Sequence, residues 1–447
     1  MYVAYCASGS NDLFLPLFQA IVACASQNYI IIFMKYVYLF FLFIVALPCT
    51  AQKRMSLAEC EGRFLKKNLQ LLAGAYSIDI AHAQAIQAGV WENPELAIEL
   101  NAYNPEKRRL FDIGTDGEKG IALQQLIHIG GQKRNEAELA QSNAGIAEFL
   151  FKDLLRNLKF QLRQNYLNLY HDNNSLEALD TQLTNISSLI LIYTAQQKKG
   201  NVPLKDLTRL QSLAISFRNS RVEVLNRVYE EQKALQGLIR SDSLIIPAPS
   251  SEELQRYEKT VNVPTDSLER IALVHRPDFQ SSQKNIEAAE WNLKWQRSLS
   301  IPDITIGASY DQRGSAFANQ IGMSLSLPLP LWNRNEGNIH AADAQVFLAT
   351  SQKDLQELQI RQDVQFAWKR YSDALANYQL IDTSMVNNLG TVYQSILQNF
   401  QKGNVSLIEF TDFMESYHQS IVEINQIRKS FTEACEQINF ITNANIF

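Results

Sequence analysis

Between Arg134 and Lys199 the chain has no proline and one glycine, Gly145; between Asn338 and Lys402 it again has no proline and one glycine, Gly390. Proline inside a helix removes a backbone donor and clashes with the preceding turn, so its absence over such runs predicts two helices, each about 100 Å long at 1.5 Å per residue. Globular helices average far less. A helix of that length needs partners along its whole side, which predicts a coiled-coil-like bundle. The polar run YHDNNS near Tyr170 marks a weak point or bend in the first.

Both runs end in the same turn: KGNVPLKDL begins at Lys199 and KGNVSLIEF at Lys402, 203 positions on. Gly200 and Gly403 can take the left-handed conformation that ends a helix, and Lys199 and Lys402 favour its C-terminal dipole. Asn201-Val202 and Asn404-Val405 make the turn, Pro203 suits the first turn of a returning helix, and Ser406 with Glu409 fits a capping box. The returning helices should run to about Leu238 and Asn439. They cover only part of the long ones, so another helical segment must cover the rest.

The duplication extends beyond the turns. Asn68 and Arg276 lie 208 apart, as do Leu71 and Phe279, Ala81 and Ala289, and Pro94 and Pro302. Further on the offset falls to 202, where Leu123 aligns with Leu325 and Ile129 with Leu331. Two copies of one unit are therefore expected at 56–240 and 266–440, with 241–265, which holds Pro247, Pro249 and Pro264, as linker. Each copy opens on an alanine-rich helical segment and then changes period. Leu96, Ile98, Leu100 and Ala102 alternate with polar or small residues, as do Ile304, Ile306, Ala308 and Tyr310. A second strand follows in each, from Ile121 to Ile129 and from Ile321 to Leu329. Loops 104–117 and 311–319 close two hairpins of unequal length, which accounts for the drop in offset. Four strands are too few to close a barrel alone.

The formal net charge of −5 is mild and lacks the basic excess of a nucleic-acid binder. From Met34, one lysine, an apolar run from Tyr36 to Leu47 and small residues at Cys49-Thr50-Ala51 give the layout of a cleaved signal peptide over 34–51; a retained anchor and, from Cys49, a lipoprotein are the alternatives. Residues 1–33 then read as an over-extended start. The cysteines at 6, 24, 49, 60 and 435 form no C-x-x-C pair, which argues against structural zinc. Cys60 and Cys435 either pair or are buried thiols.

In order and in duplicate, AGVWENPELAIEL at Ala88–Leu100, ALQQLIHIGGQKRNEAELA at Ala122–Ala140, HRPDF at His275–Phe279, LSIPDITIGASY at Leu299–Tyr310, SLSLPLPLWNRNEG at Ser324–Gly337 and the two KGNV turns resemble the TolC-type outer-membrane efflux proteins, nearest the branch serving heavy-metal and drug exporters. The resemblance covers the chain from about Ser56 to Asn439. It implies a mainly α fold with a small β part: a homotrimer whose four strands per chain close one twelve-stranded barrel in the outer membrane of a Gram-negative bacterium. The long helices would form a periplasmic tunnel, with Gly200, Asn201, Val202, Gly403, Asn404 and Val405 at its far tip, facing a periplasmic adaptor and an inner-membrane pump. Residues after the turns would line the closed entrance: Glu409 and Asp412 as a threefold acidic ring, Asp206 and Arg209 as an acid–base pair satisfied within its own helix. Both carboxylates also suit a helix N-terminus without any gating role.

An enzyme is not expected, since G-x-S-x-G, H-E-x-x-H, P-loop and dinucleotide fingerprints are absent and the histidines at 82, 128, 171, 275, 340 and 418 are scattered. No catalytic residue, metal ligand or cofactor is assigned. His128 either faces the lumen or is structural. A type I secretion channel and a periplasmic coiled-coil adaptor are the rival readings. Tyr103, Tyr310 and Trp332 fit a membrane-interface girdle. The resemblance leaves metal ions, drugs and secreted peptides open as cargo, with IGGQKRNEAELA favouring cations.

Overall fold

The computed structural model describes residues 52–447 except 116 and 315, so the segments 1–33 and 34–51 lie outside the described residues. The first copy runs β1 (Lys53–Met55), α1 (Leu57–Lys67), α2 (Leu69–Ala88), β2 (Glu95–Leu100), the short pair β3 (Tyr103–Asn104) and β4 (Arg109–Leu110), β5 (Glu118–Ile127), α3 (Gln132–Lys198) and α4 (Leu204–Ile239). The stretch read as a linker carries β6 (Ile245–Pro247) and α5 (Ser251–Glu258). The second copy runs α6 (Thr265–His275), α7 (Pro277–Ser298), β7 (Ile304–Arg313), β8 (Phe317–Ser326), α8 (Glu336–Gln379), α9 (Thr383–Gln401) and α10 (Leu407–Thr442).

Asn68 and Arg276, matched in sequence at the 208 offset, occupy the same place in the two copies. Asn68 ends α1 and caps α2, its Oδ1 accepting from the Leu71 amide at 3.0 Å. Arg276 is the extended joint between α6 and α7, where Pro277 forbids a continuous helix through the preceding residue. Both returning helices, α4 and α10, are 36 residues long.

The long helices differ. Contrary to the bend expected near Tyr170, α3 runs 67 residues without a break, and it is the second copy that divides, at Leu380–Asp382. His171, Asp172 and Ser175 of YHDNNS do not weaken α3 because they are buried and bonded. Lys429 of α10 donates to Asp172 at 2.8 Å and to Glu231 of α4 at 3.0 Å, and Arg227 donates to Asp172 through two nitrogens at 3.2 Å. His171 Nε2 lies 3.3 Å from the Thr432 hydroxyl. In the second copy Asp382 has no such partner among the described residues and caps α9, accepting from the Ser384 amide at 3.1 Å, beside a Leu380 that is 77 % exposed.

Two apolar cores result. One gathers Phe64, Tyr166, Leu235, Tyr257, Ile360, Tyr371 and Phe431. The Tyr166 hydroxyl donates to the Met55 carbonyl at 2.8 Å and accepts from the Ala248 amide at 3.1 Å, fastening the parallel β1–β6 pair to α3. The other joins Ile186, Leu210, Phe217, Phe410 and Met414 toward the turns. Cys60 and Cys435 are buried in the first core as free thiols, with burial pushing the Cys60 thiol up to about 12.

The main sheet is antiparallel in the order β2-β5-β7-β8, so β5 and β7 join the two copies edge to edge. The second strand of copy two stops at Ser326, short of the alternation expected to Leu329, because Pro328 and Pro330 cannot donate to a ladder. The connection expected over 311–319 is tighter, with β7 reaching Arg313 and β8 starting at Phe317, whereas that over 104–117 holds the β3–β4 hairpin.

Candidate functional site: the paired turns and the two-faced sheet

Strand register sorts the sheet into two faces. Ile98, Ile121, Tyr310 and Ile321 form one row, and Leu96, Leu123, Ala308 and Met323 the next. On the opposite face stand Ala97, Ala122, Ser309 and Gly322, then Glu99, Gly120, Asp311 and Gln320. The apolar face is uncovered: Ile321 is 83 % and Met323 87 % exposed. In water such a patch would be costly, whereas hydrocarbon accepts it, and strands of ten residues are long enough to cross a bilayer when tilted. The outer edges of β2 and β8 have no partner strand among the described residues.

At the other end of the helices the two KGNV turns are superposable in their bonding. Gly200 has φ 79° and Gly403 φ 80°. The Gly200 amide donates to the Gln197 carbonyl at 2.9 Å and the Asn201 amide to Gln196 at 3.0 Å; Gly403 donates to Phe400 at 3.0 Å and Asn404 to Asn399 at 2.9 Å. This is the Schellman arrangement, in which the last free carbonyls of a helix are satisfied by the turn itself. Each turn asparagine also reaches back with its side-chain amide, Asn201 to Gln196 at 2.8 Å and Asn404 to Asn399 at 3.4 Å. Val202 and Val405 are half-buried. The turns differ in how the next helix starts: Pro203 caps α4 without a side-chain bond, while the Ser406 hydroxyl accepts from the Glu409 amide at 3.2 Å. The reciprocal half of the expected capping box is not formed, which leaves the Glu409 carboxylate exposed.

Arg209 does not pair with Asp206 in its own helix. It crosses to the other copy, donating through Nη2 to Asp412 at 2.8 Å and through Nε to the Thr411 hydroxyl at 2.8 Å. Arg209 and Asp412 are equivalent positions, 203 apart, and the two copies therefore meet residue to counterpart. Both side chains are well exposed, 43 % and 63 %. Behind them Phe400 stacks on Phe410 at 4.0 Å and His418 on Phe217 at 4.2 Å. The Asn185–Tyr393 bond at 2.7 Å ties α3 to α9. Offsets locate these residues but carry no information on which copy's side chain each one touches, so Thr411 and Tyr393 were not legible in advance.

His128 is held by two carboxylates. Its Nδ1 lies 2.8 Å from Asp303 and its Nε2 2.8 Å from Glu92, which also meets Lys133 at 3.0 Å. The node pins β5 to the approach of β7 where sheet gives way to helix. Among the described residues no group of three or more His, Cys, Asp or Glu could hold a metal ion, and no helix is long and apolar enough to cross a membrane.

Residues 268–444, nearly the whole second copy, match the family described as outer membrane efflux protein. The chain is 19 % identical over 380 residues to the cobalt-zinc-cadmium resistance protein CzcC of Cupriavidus metallidurans, covering 83 % of this chain and 85 % of that one. It is 21 % identical over 401 residues to SilC of Salmonella typhimurium, a probable outer membrane lipoprotein, covering 85 % and 84 %. The open state of the Neisseria gonorrhoeae MtrE outer membrane channel superposes with a TM-score of 0.67 over 87 % of this chain and 89 % of that one, at 14 % identity. The chain thus shares the fold of these outer-membrane channels across both copies.

Proposed function

We propose that this protein is the outer-membrane channel of a tripartite efflux system, a passive conduit for cargo driven by an inner-membrane pump through a periplasmic adaptor. The observation that carries the reading is the sheet: four strands, apolar on one face and small or polar on the other, with two open edges. Three copies joined β8 to β2 close a twelve-stranded barrel with lipid outside and water inside. The six KGNV turns then stand at the far tunnel mouth as the adaptor contact. There Arg209–Asp412 bonds hold the two tips of each chain together, and Glu409, free of its capping role, lines the entrance. Similarity to CzcC favours metal cations over drugs as cargo.

Fractionation tests the placement: an outer-membrane trimer in mild detergent, co-purifying with an adaptor and pump, is expected, and a soluble periplasmic monomer would overturn it. Planar-bilayer conductance of the Glu409→Gln, Asp412→Asn double variant tests the entrance. Lower cation preference and a larger closed-state leak are expected; if neither changes, the ring has no role.

A further inference from the structure

The β3–β4 hairpin leaves the sheet at the rim of its apolar face. Leu100 pairs with Lys119, the Asn101 amide donates to the Glu118 carbonyl at 3.2 Å, and the chain then projects away from the helices. It is an ordered structure. Asn104 Oδ1 accepts from the amides of Glu106 and Lys107 at 3.1 Å each, and Asn104 Nδ2 donates to the buried Asp112 at 3.1 Å. The buried Gln312 side chain donates to the Gly114 and Thr115 carbonyls at 2.8 and 2.7 Å, locking the loop to β7. Arg108 and Phe111 are held at φ 50° and 48°, a conformation that non-glycine residues avoid.

What this built loop displays is unusual for one facing only water. Tyr103 and Leu110 stand opposite each other in the hairpin register and are 52 % and 73 % exposed, and Phe111 is 63 % exposed. Between them Arg108 and Arg109 are exposed and have no ion pair among the described residues. Of the nearby acids, Asp112 is buried against Asn104 and Lys107, 3.8 Å away, and Glu106 is exposed. Aromatic and aliphatic groups beside free guanidinium groups, at the edge of a lipid-facing surface, match the boundary between acyl chains and headgroups, where apolar bodies sit in hydrocarbon and cations meet phosphate.

We infer that residues 103–111 form a lipid clamp on the outer leaflet, with Tyr103, Leu110 and Phe111 seated at the acyl boundary and Arg108 and Arg109 binding the phosphates of lipid headgroups. The inference rests on the outer-membrane placement above. The test uses the full-length protein reconstituted in phosphatidylcholine vesicles with or without bisphosphorylated lipid A, then re-extracted in mild detergent to measure the lipid A retained per trimer. Wild type should retain lipid A, resistant to competition by inorganic phosphate, and Arg108→Gln with Arg109→Gln should weaken retention about tenfold. A Lys66→Gln, Lys67→Gln control in α1 should not. Equal retention by the arginine variant, release by phosphate alone, or photocrosslinking from position 110 to a neighbouring protomer instead of lipid would overturn the clamp. Failure of wild type to insert into any vesicle would instead overturn the outer-membrane reading.

Discussion

The long helix of the first copy and its counterpart in the second begin from equivalent sequence and end in equivalent turns, yet one is continuous and the other is jointed. The difference lies in where polar side chains find partners. In α3, Asp172 is buried and held by Lys429 and Arg227, so a polar run that could end a helix becomes its anchor to α4 and α10. At Leu380–Asp382 no ion pair from a neighbouring helix reaches Asp382 among the described residues, and Asp382 turns to Ser384 to start α9. Sequence polarity alone does not break a helix; polarity without a tertiary partner does.

Removing the anchor should have the largest effect. Lys429→Met leaves Asp172 and Glu231 buried without their shared cation and is expected to cost about 3–5 kcal/mol per chain, read as a lowered denaturant midpoint. A smaller cost than Asp382→Ala would break the comparison.

Acid should act on the same place. Burial, reinforced by Lys429 and Arg428, pushes the His171 imidazole down to about 4, so the folded chain keeps it neutral while the unfolded chain protonates below 6.5. His171 therefore contributes stability above pH 6.5 that is lost as pH falls toward 4, up to about 3 kcal/mol. Burial pushes the Glu231 carboxyl up, more than Lys429 offsets, and this acts in the opposite sense, favouring the folded state as pH falls. Asp172, buried but held below the usual carboxylate range by Arg227 and Lys429, adds its loss only at lower pH. His171→Asn should remove the acid-side loss between pH 6.5 and 4 in thermal melts, unmasking the Glu231 trend.

The joint itself is worth less. Asp382→Ala removes one cap and should cost about 1 kcal/mol, seen as faster amide exchange confined to the first turn of α9, with α3 unchanged. Smallest of all is the stability effect of Arg209→Gln. The pair is solvent-exposed and should contribute at most about 0.5 kcal/mol, so melting should barely move while channel conductance does.

Much of this was legible beforehand. The 203 offset located the turns at Gly200 and Gly403, because such turns depend on local backbone chemistry that a repeat preserves; the 208 offset matched Asn68 with Arg276, but the helix breaks at both were not read from it. Period-two alternation located the strands, since a sheet with one apolar and one polar or small face keeps strict sidedness. The joint at 380–382, the β1–β6 pairing, the Arg209–Asp412 bond and the fixing of His128 by Asp303 were not legible. Each depends on a partner far away in the chain, about which neither periodicity nor propensity is informative.

The open edges of β2 and β8 have a genetic consequence. In the proposed trimer, a ring closed by three identical joints fails if any one joint fails, so a variant damaged at one edge still recruits healthy copies through the other. With wild-type and edge-damaged chains co-expressed, intact rings should fall as the cube of the wild-type fraction, and half the chains being defective would silence most of the population.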